Sequence, residues 1–185
     1  MLAYVFWHRG GGDVERHVYE HRLGVFHQAL AEAAPKGFIR SSVHVTDAVP
    51  WVEAGSVIYE DWYLLEDSAA LDAVNAAAVS GRCAGPHAAV AANTTASAAG
   101  IYTLRAGEDT VDSAPMAIWL HKPPDMSYPD FDAAMVMAIA EGGGLWRRQM
   151  VLGPTPEFCL LADDQPFAPS PMLGAVLTRE RLWPT

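Results

Sequence analysis

The sequence predicts an α+β chain in which the order strand, helix, strand, strand, helix, strand is written twice, the second time in shortened form. Three observations predict it. Short β-branched and aromatic runs bounded by Gly and Pro recur along all 185 residues. Apolar stripes at helical spacing fall between them. Three local patterns also return in the same sequence order. Trp7-His8-Arg9 is matched by Leu120-His121-Lys122, and Gly37-Phe38-Ile39-Arg40 by Gly144-Leu145-Trp146-Arg147. Tyr63-Leu64-Leu65-Glu66-Asp67 is matched by Cys159-Leu160-Leu161-Ala162-Asp163. Ordered recurrence on this scale points to a doubled unit.

Leu2–His8 is apolar and aromatic and stops at Gly10-Gly11-Gly12, so it reads as a strand. Asp13 is placed to cap a helix running to about Ala34. Tyr19, Leu23, Phe26, Leu30 and Ala33 step by four, three, four and three and form its buried stripe. Pro35-Lys36-Gly37 ends it. Phe38–Val45 is the second strand and Ser56–Leu65 the third, joined through Pro50 and Trp51. Ser68 is expected to cap an Ala-rich helix to about Val79. Pro86 suits the first turn of another helical piece. Ile101–Arg105 closes the first unit, 1–106. Residues 107–115 read as a linker.

The second unit, 116–185, begins with a strand at Met116–His121 and a shorter helix at Tyr128–Ala140, stopped by Gly142-Gly143-Gly144. Strands follow at Leu145–Leu152, Glu157–Leu161 and Gly174–Arg179. The Pro-rich stretch Gln165–Pro171 replaces most of a second helix.

Composition narrows the function. Half the residues are hydrophobic and six are Trp, enough for a sizeable core. Acidic residues outnumber basic ones 22 to 12, for a net charge of −10. Nucleic acid and anionic membrane surfaces are bound by clustered Lys and Arg, so neither is an expected partner. Cys83 and Cys159 stand alone, without zinc or redox spacing. No signal peptide pattern opens the chain, and Gly81 and Gly85-Pro86 break the Ala-rich region, so a cytoplasmic protein is expected. His17 and His21 are four apart but lie opposite the buried stripe, and no metal is expected there. Gly10–Gly12 lacks the Lys-Ser/Thr of a phosphate loop. No cofactor is expected on these grounds.

The order βαββαβ resembles the ferredoxin-like fold of the dimeric α+β barrel superfamily, in which two antiparallel sheets face one another and close a barrel. Tyr19-Glu20-His21-Arg22-Leu23-Gly24-Val25-Phe26-His27 looks like the helix of EthD-like proteins that carries a late His, here His27. Gly85-Pro86-His87-Ala88-Ala89-Val90 looks like the His-Pro-x-His turn of stress-responsive A/B-barrel proteins, with Gly85 at the first His. The resemblance implies tandem ferredoxin-like units packed into one barrel. It also implies cofactor-independent oxygenation, isomerisation or cyclisation of an aromatic or polyketide-like compound.

Strand alternation gives a candidate site. Val5 and Trp7, with Ile118 and Leu120, look like the helix-packing face. His8 and His121 are then expected to face a shared lumen, beside Trp119, Arg40, Arg147, His44, Asp61 and Tyr63. His8, His121 and His44 would move protons. Asp61 would orient an imidazole. Arg40 and Arg147 would hold an anionic oxygen, and Tyr63 and Trp119 would wall the ligand. The alternative is a non-catalytic ligand-binding or assembly module whose charges pair as Arg40–Asp61 and Arg147–Glu157, with haem as a possible ligand because His is a frequent axial ligand. A monomer or homodimer is expected.

Overall fold

The computed structural model describes residues 1–11, 14–46, 48–53, 57–139, 142–151, 155–164 and 173–184. The first apolar run forms β1 (Leu2–Gly10), followed by α1 (Arg16–Ala33), β2 (Phe38–Thr46) and β3 (Ile58–Leu65). Next come α2 (Ala69–Ala78), a single 3-10 turn (Gly81–Cys83), α3 (Ala84–Ala91) and β4 (Thr94–Gly107). The second half contains β5 (Met116–Leu120), α4 (Tyr128–Ile139), β6 (Gly144–Val151), β7 (Phe158–Ala162) and β8 (Leu173–Trp183).

All pairings are antiparallel, and the strands close into a barrel in the order β1-β3-β2-β8-β5-β7-β6-β4. The first four strands lie in the order β4-β1-β3-β2, and the last four repeat it as β8-β5-β7-β6. The seams are β2 with β8 and β4 with β6. Closure within one chain removes every open sheet edge.

Two elements run longer than expected, for one reason. Ala98, Ala99 and Gly100 carry little β-propensity, yet β4 pairs with β1 as far back as Thr94, opposite Gly10. The charged tail after Thr178 looks like a terminus, yet it pairs with β2 from Arg179 to Trp183. Barrel closure supplies both partners. The helix starts also differ. Glu15 holds the capping position of α1 without a side-chain bond. Ser68 makes none for α2, where Asp67 Oδ1 instead accepts from the N–H groups of Ala69 and Ala70 at 2.9 and 3.1 Å. Asp13 and the stretch 165–171 lie outside the described residues.

Three apolar clusters divide the molecule. The lumen holds residues from both halves, dominated by Trp7, Trp62, Trp119 and Trp146, each fully buried. Their rings meet edge to face: Trp7 and Trp119 lie 5.0 Å apart and Trp62 and Trp146 5.3 Å apart. A second cluster joins the outer face of the first sheet to α1, α2 and α3. A third joins the second sheet to α4.

This partition corrects the expected faces of the first half. Val5, Trp7, Trp62 and Leu64 point into the lumen. Tyr4, Phe6 and Tyr63 pack with the helices. In the second half the expectation holds for β5, where Ile118 and Leu120 meet α4 while Ala117 and Trp119 face the lumen, but not for β6, where Trp146 faces the lumen in place of Arg147. The lumen position occupied by Trp119 in β5 is therefore held by Trp7 in β1. Matching His8 to His121 slips the strands by one residue, and such a slip reverses every side chain.

Candidate functional site

The chemistry lies on the outer face of the first sheet, under the helices. Register sets Phe6 opposite Asp61 and His8 opposite Tyr59. On the other side of β3, Val43 lies opposite Asp61 and Ser41 opposite Tyr63. Alternation sends Asp61 and Tyr63 outward from β3, and the same face of β1 carries His8 and of β2 carries Ser41. The buried stripe of α1 brings Tyr19 and His27 down onto them. His8, His27 and Asp61 are 1%, 0% and 2% exposed.

Asp61 Oδ2 is the hub. Tyr63 donates its hydroxyl to it at 3.2 Å, and His27 Nε2 lies at 3.4 Å. His8 Nε2 makes an ion-pair contact at 3.2 Å without hydrogen-bond alignment. An ionised carboxylate only accepts, so the nitrogens facing it carry protons. The other ring nitrogens are also hydrogen-bonded, His27 Nδ1 with Ser41 Oγ and His8 Nδ1 with the Tyr19 hydroxyl, each at 2.8 Å. Tyr19 also meets Thr94 Oγ1 at 2.9 Å.

Burial works to raise the Asp61 carboxyl, but attraction to His8 and hydrogen bonding from His27 outweigh it and hold the group well below the ordinary carboxylate range. Burial and the Asp61 charge push the Tyr63 phenol up, so it remains a donor.

Two adjoining clefts open over this cluster. The inner one, about 280 Å³, reaches His8, Asp61, Tyr63 and Thr94. The outer one, about 430 Å³, is walled by Tyr4, Phe26, Leu71 and Val74. Phe6, Phe26, Tyr63 and His87 border both, making one continuous recess. Two buried polar atoms on the inner lining have no hydrogen-bond partner among the described residues: His8 Nε2, a donor, and Asp61 Oδ1, an acceptor. His87 stands half-buried on the wall, its ring against Phe26 at 5.4 Å.

The structure brings together three of the residues singled out from sequence: His8, Asp61 and Tyr63. It separates the others. His121 is exposed just beyond β5. Trp119 is packed in the lumen. Arg40 does not meet Asp61; its Nη1 and Nε bond Asp109 and Asp112, each at 2.7 Å. Arg147 does pair with Glu157, at 3.5 Å, but outside the barrel, where it also covers the Tyr128 ring. His44 faces the lumen end and binds Arg179, not Asp61.

The lumen charges are a pair the sequence reading missed. Glu60 is fully buried and accepts from Trp7 Nε1 at 2.9 Å, Trp62 Nε1 at 2.7 Å and Arg179 Nε at 2.9 Å. The adjacent Glu60 and Asp61 inside an otherwise apolar and aromatic strand were the available signal, because alternation sends them to opposite faces and each buried charge needs a partner. His27, singled out only through the EthD-like helix, is satisfied by Ser41 and is also part of the hub.

The sequence matches no protein-family model and no curated protein. Among solved structures it is similar to a chlorite dismutase-like protein at 14% identity, covering 97% of this chain and 94% of that one, with a TM-score of 0.49. It is also similar to the chlorite dismutase of Candidatus Nitrospira defluvii in complex with imidazole, at 10% identity, 98% and 92% coverage and a TM-score of 0.46. A cyanide complex of a mutant of that enzyme aligns at 10% identity, 97% and 91% coverage and a TM-score of 0.47. Likeness at this level does not say what this chain binds. No helix among the described residues is long and apolar enough to cross a membrane.

Proposed function

We propose that the chain binds a small, planar, largely apolar molecule bearing a phenol or enol hydroxyl, in the recess between β1, β3 and the helices α1 to α3. One observation carries this reading: a buried donor, His8 Nε2, and a buried acceptor, Asp61 Oδ1, line the same cleft without a hydrogen bond from any described residue. Leaving such groups unpaired costs about 1–3 kcal/mol each. A hydroxyl satisfies both at once, accepting from His8 and donating to Asp61. The aromatic walls then cover the ring, as in most small-molecule sites.

The same geometry favours binding over proton abstraction by this pair. A general base works best with a pKa near the operating pH, and Asp61 is held far below that. His8 spends Nδ1 on Tyr19. If the recess is catalytic, His87 is the imidazole that would exchange a proton with the ligand, because it faces the recess and makes no hydrogen bond to a described residue. The same feature supports the haem alternative. An axial ligand needs an uncommitted nitrogen, and His87 offers one where His8 and His27 do not. A Soret band on addition of haemin, lost in His87→Ala, would select that alternative.

We also read the matching strand order of the two sheets as the product of a doubled unit, with Trp7 and Trp119 as equivalents. Closure within one chain leaves a homodimer unnecessary for the fold.

The test compares 2-naphthol with naphthalene by fluorescence titration. The rings are alike, and only the first carries a hydroxyl. Binding of 2-naphthol is expected to be roughly tenfold or more tighter, the worth of a hydrogen bond to a charged group. Asn75→Trp, at an exposed position on the cleft wall, is expected to abolish it. Equal affinity for the two rings, or full binding in Asn75→Trp, would overturn the reading.

A further inference from the structure

A second cleft, about 390 Å³, opens at the end of the lumen where β2 meets β8. The segment 112–115 forms one wall, and His44, Arg179 and Arg181 form the other. It shares no residue with the recess over Asp61. It exists because the charged tail of β8 pairs with β2, with His44 in register with Arg181.

The hydrogen bonds fix what the cleft presents. Arg179 Nη2 donates to His44 Nδ1 at 2.8 Å. A guanidinium never accepts, so His44 Nδ1 is the acceptor and Nε2 carries the proton. That imidazole is 1% exposed, and its Nε2 has no partner among the described residues. Burial, with Arg179 and Arg181 nearby, lowers His44 to about 2, so it stays neutral. Arg179 also bonds Glu60 and, through Nη1, the Ala114 carbonyl at 3.0 Å. Arg181 is exposed above it and reaches the Asp112 carbonyl at 3.2 Å. On the facing wall Asp112 Oδ2 accepts from Arg40, while Oδ1 is buried and has no hydrogen-bond partner among the described residues.

The cleft therefore offers an N–H donor beside an exposed cation and, separately, a lone carboxylate oxygen. The surrounding charges balance: Arg40, Arg179 and Arg181 against Glu60, Asp109 and Asp112. A plain anion would leave Asp112 Oδ1 unmatched, and a plain cation would leave His44 Nε2 unmatched. We infer that this cleft binds a small zwitterion, an α-amino acid, with its carboxylate on His44 Nε2 and Arg181 and its ammonium on Asp112 Oδ1.

Three probes of similar size separate the possibilities: L-alanine, propionate, which lacks the ammonium, and ethylamine, which lacks the carboxylate. Calorimetry gives the affinities, and the His44 Nε2–H resonance in a ¹⁵N-labelled sample reports the place. L-alanine is expected to bind and shift that resonance, with propionate and ethylamine each weaker by about tenfold, one charge-assisted hydrogen bond. Arg181→Ala, at an exposed position, is expected to lower L-alanine affinity by about tenfold as well. Propionate binding as tightly as L-alanine would make this a plain anion site and overturn the assignment. So would a His44 resonance that no probe moves at millimolar concentration, the result expected if water alone bridges the two atoms. Neither outcome touches the naphthol test, which reads a different cleft.

Discussion

Glu60→Leu is expected to be among the most damaging single substitutions in the chain, costing about 3–5 kcal/mol of stability. That is the range for breaking a buried ion pair from one side. The reason is what it strands. Arg179 is 6% exposed and keeps its charge, and the indole N–H groups of Trp7 and Trp62 lose their acceptor. The double variant Glu60→Leu with Arg179→Leu removes the stranded charge but not the stranded indoles. It should therefore fall between the single variant and the parent. Glu60→Gln keeps an acceptor oxygen and should cost less than Glu60→Leu. Urea unfolding at constant m-value measures all three. A Glu60→Leu loss below about 0.5 kcal/mol, the size of an ordinary surface change, would mean that this pair does not hold the lumen together.

Asp61→Asn is expected to cost about 1.5–3 kcal/mol near neutral pH, the worth of hydrogen bonds to a charged group. The loss should also carry a pH signature. The folded carboxyl sits below its unfolded value of about 3.9. Its contribution is therefore complete above that value and declines as pH falls through it toward the lower folded value. The stability gap between parent and Asp61→Asn should be widest above about pH 5 and narrow steadily into acid. A gap that stays constant from neutral pH to pH 3 would show that the carboxylate charge is not what His8 and His27 stabilise.

The architecture was legible because each element carried its own signal. Gly and Pro bounded the strands, the Tyr19-to-Leu30 stripe marked α1, and the recurring order gave a barrel of two like sheets. The lumen face of β5 was legible too, since Ile118 and Leu120 flank Trp119, although β6 turns Trp146 inward and not Arg147. The faces of the first half were not legible. Every residue of β3 is buried, and β1 alternates aromatic with apolar, so neither strand labels its faces. Placing charged groups in the lumen followed from their need for a cavity. The cavity exists, but between sheet and helices, because α1, α2 and α3 leave a recess over Asp61. The Glu60–Arg179 pair was hidden by distance: 119 residues separate its members, and only barrel closure brings β8 across to β2. Asp61 and His8 were grouped correctly because β3 lies between β1 and β2, a property of the strand order that does not depend on which face is which.

The most direct test is to map 2-naphthol onto the isotope-labelled protein by chemical-shift perturbation. The largest shifts are predicted at Phe6, His8, Asp61, Tyr63, Val74 and His87, around the recess under the helices. Largest shifts at Trp119, Trp146 and Leu177, inside the lumen, would contradict that placement.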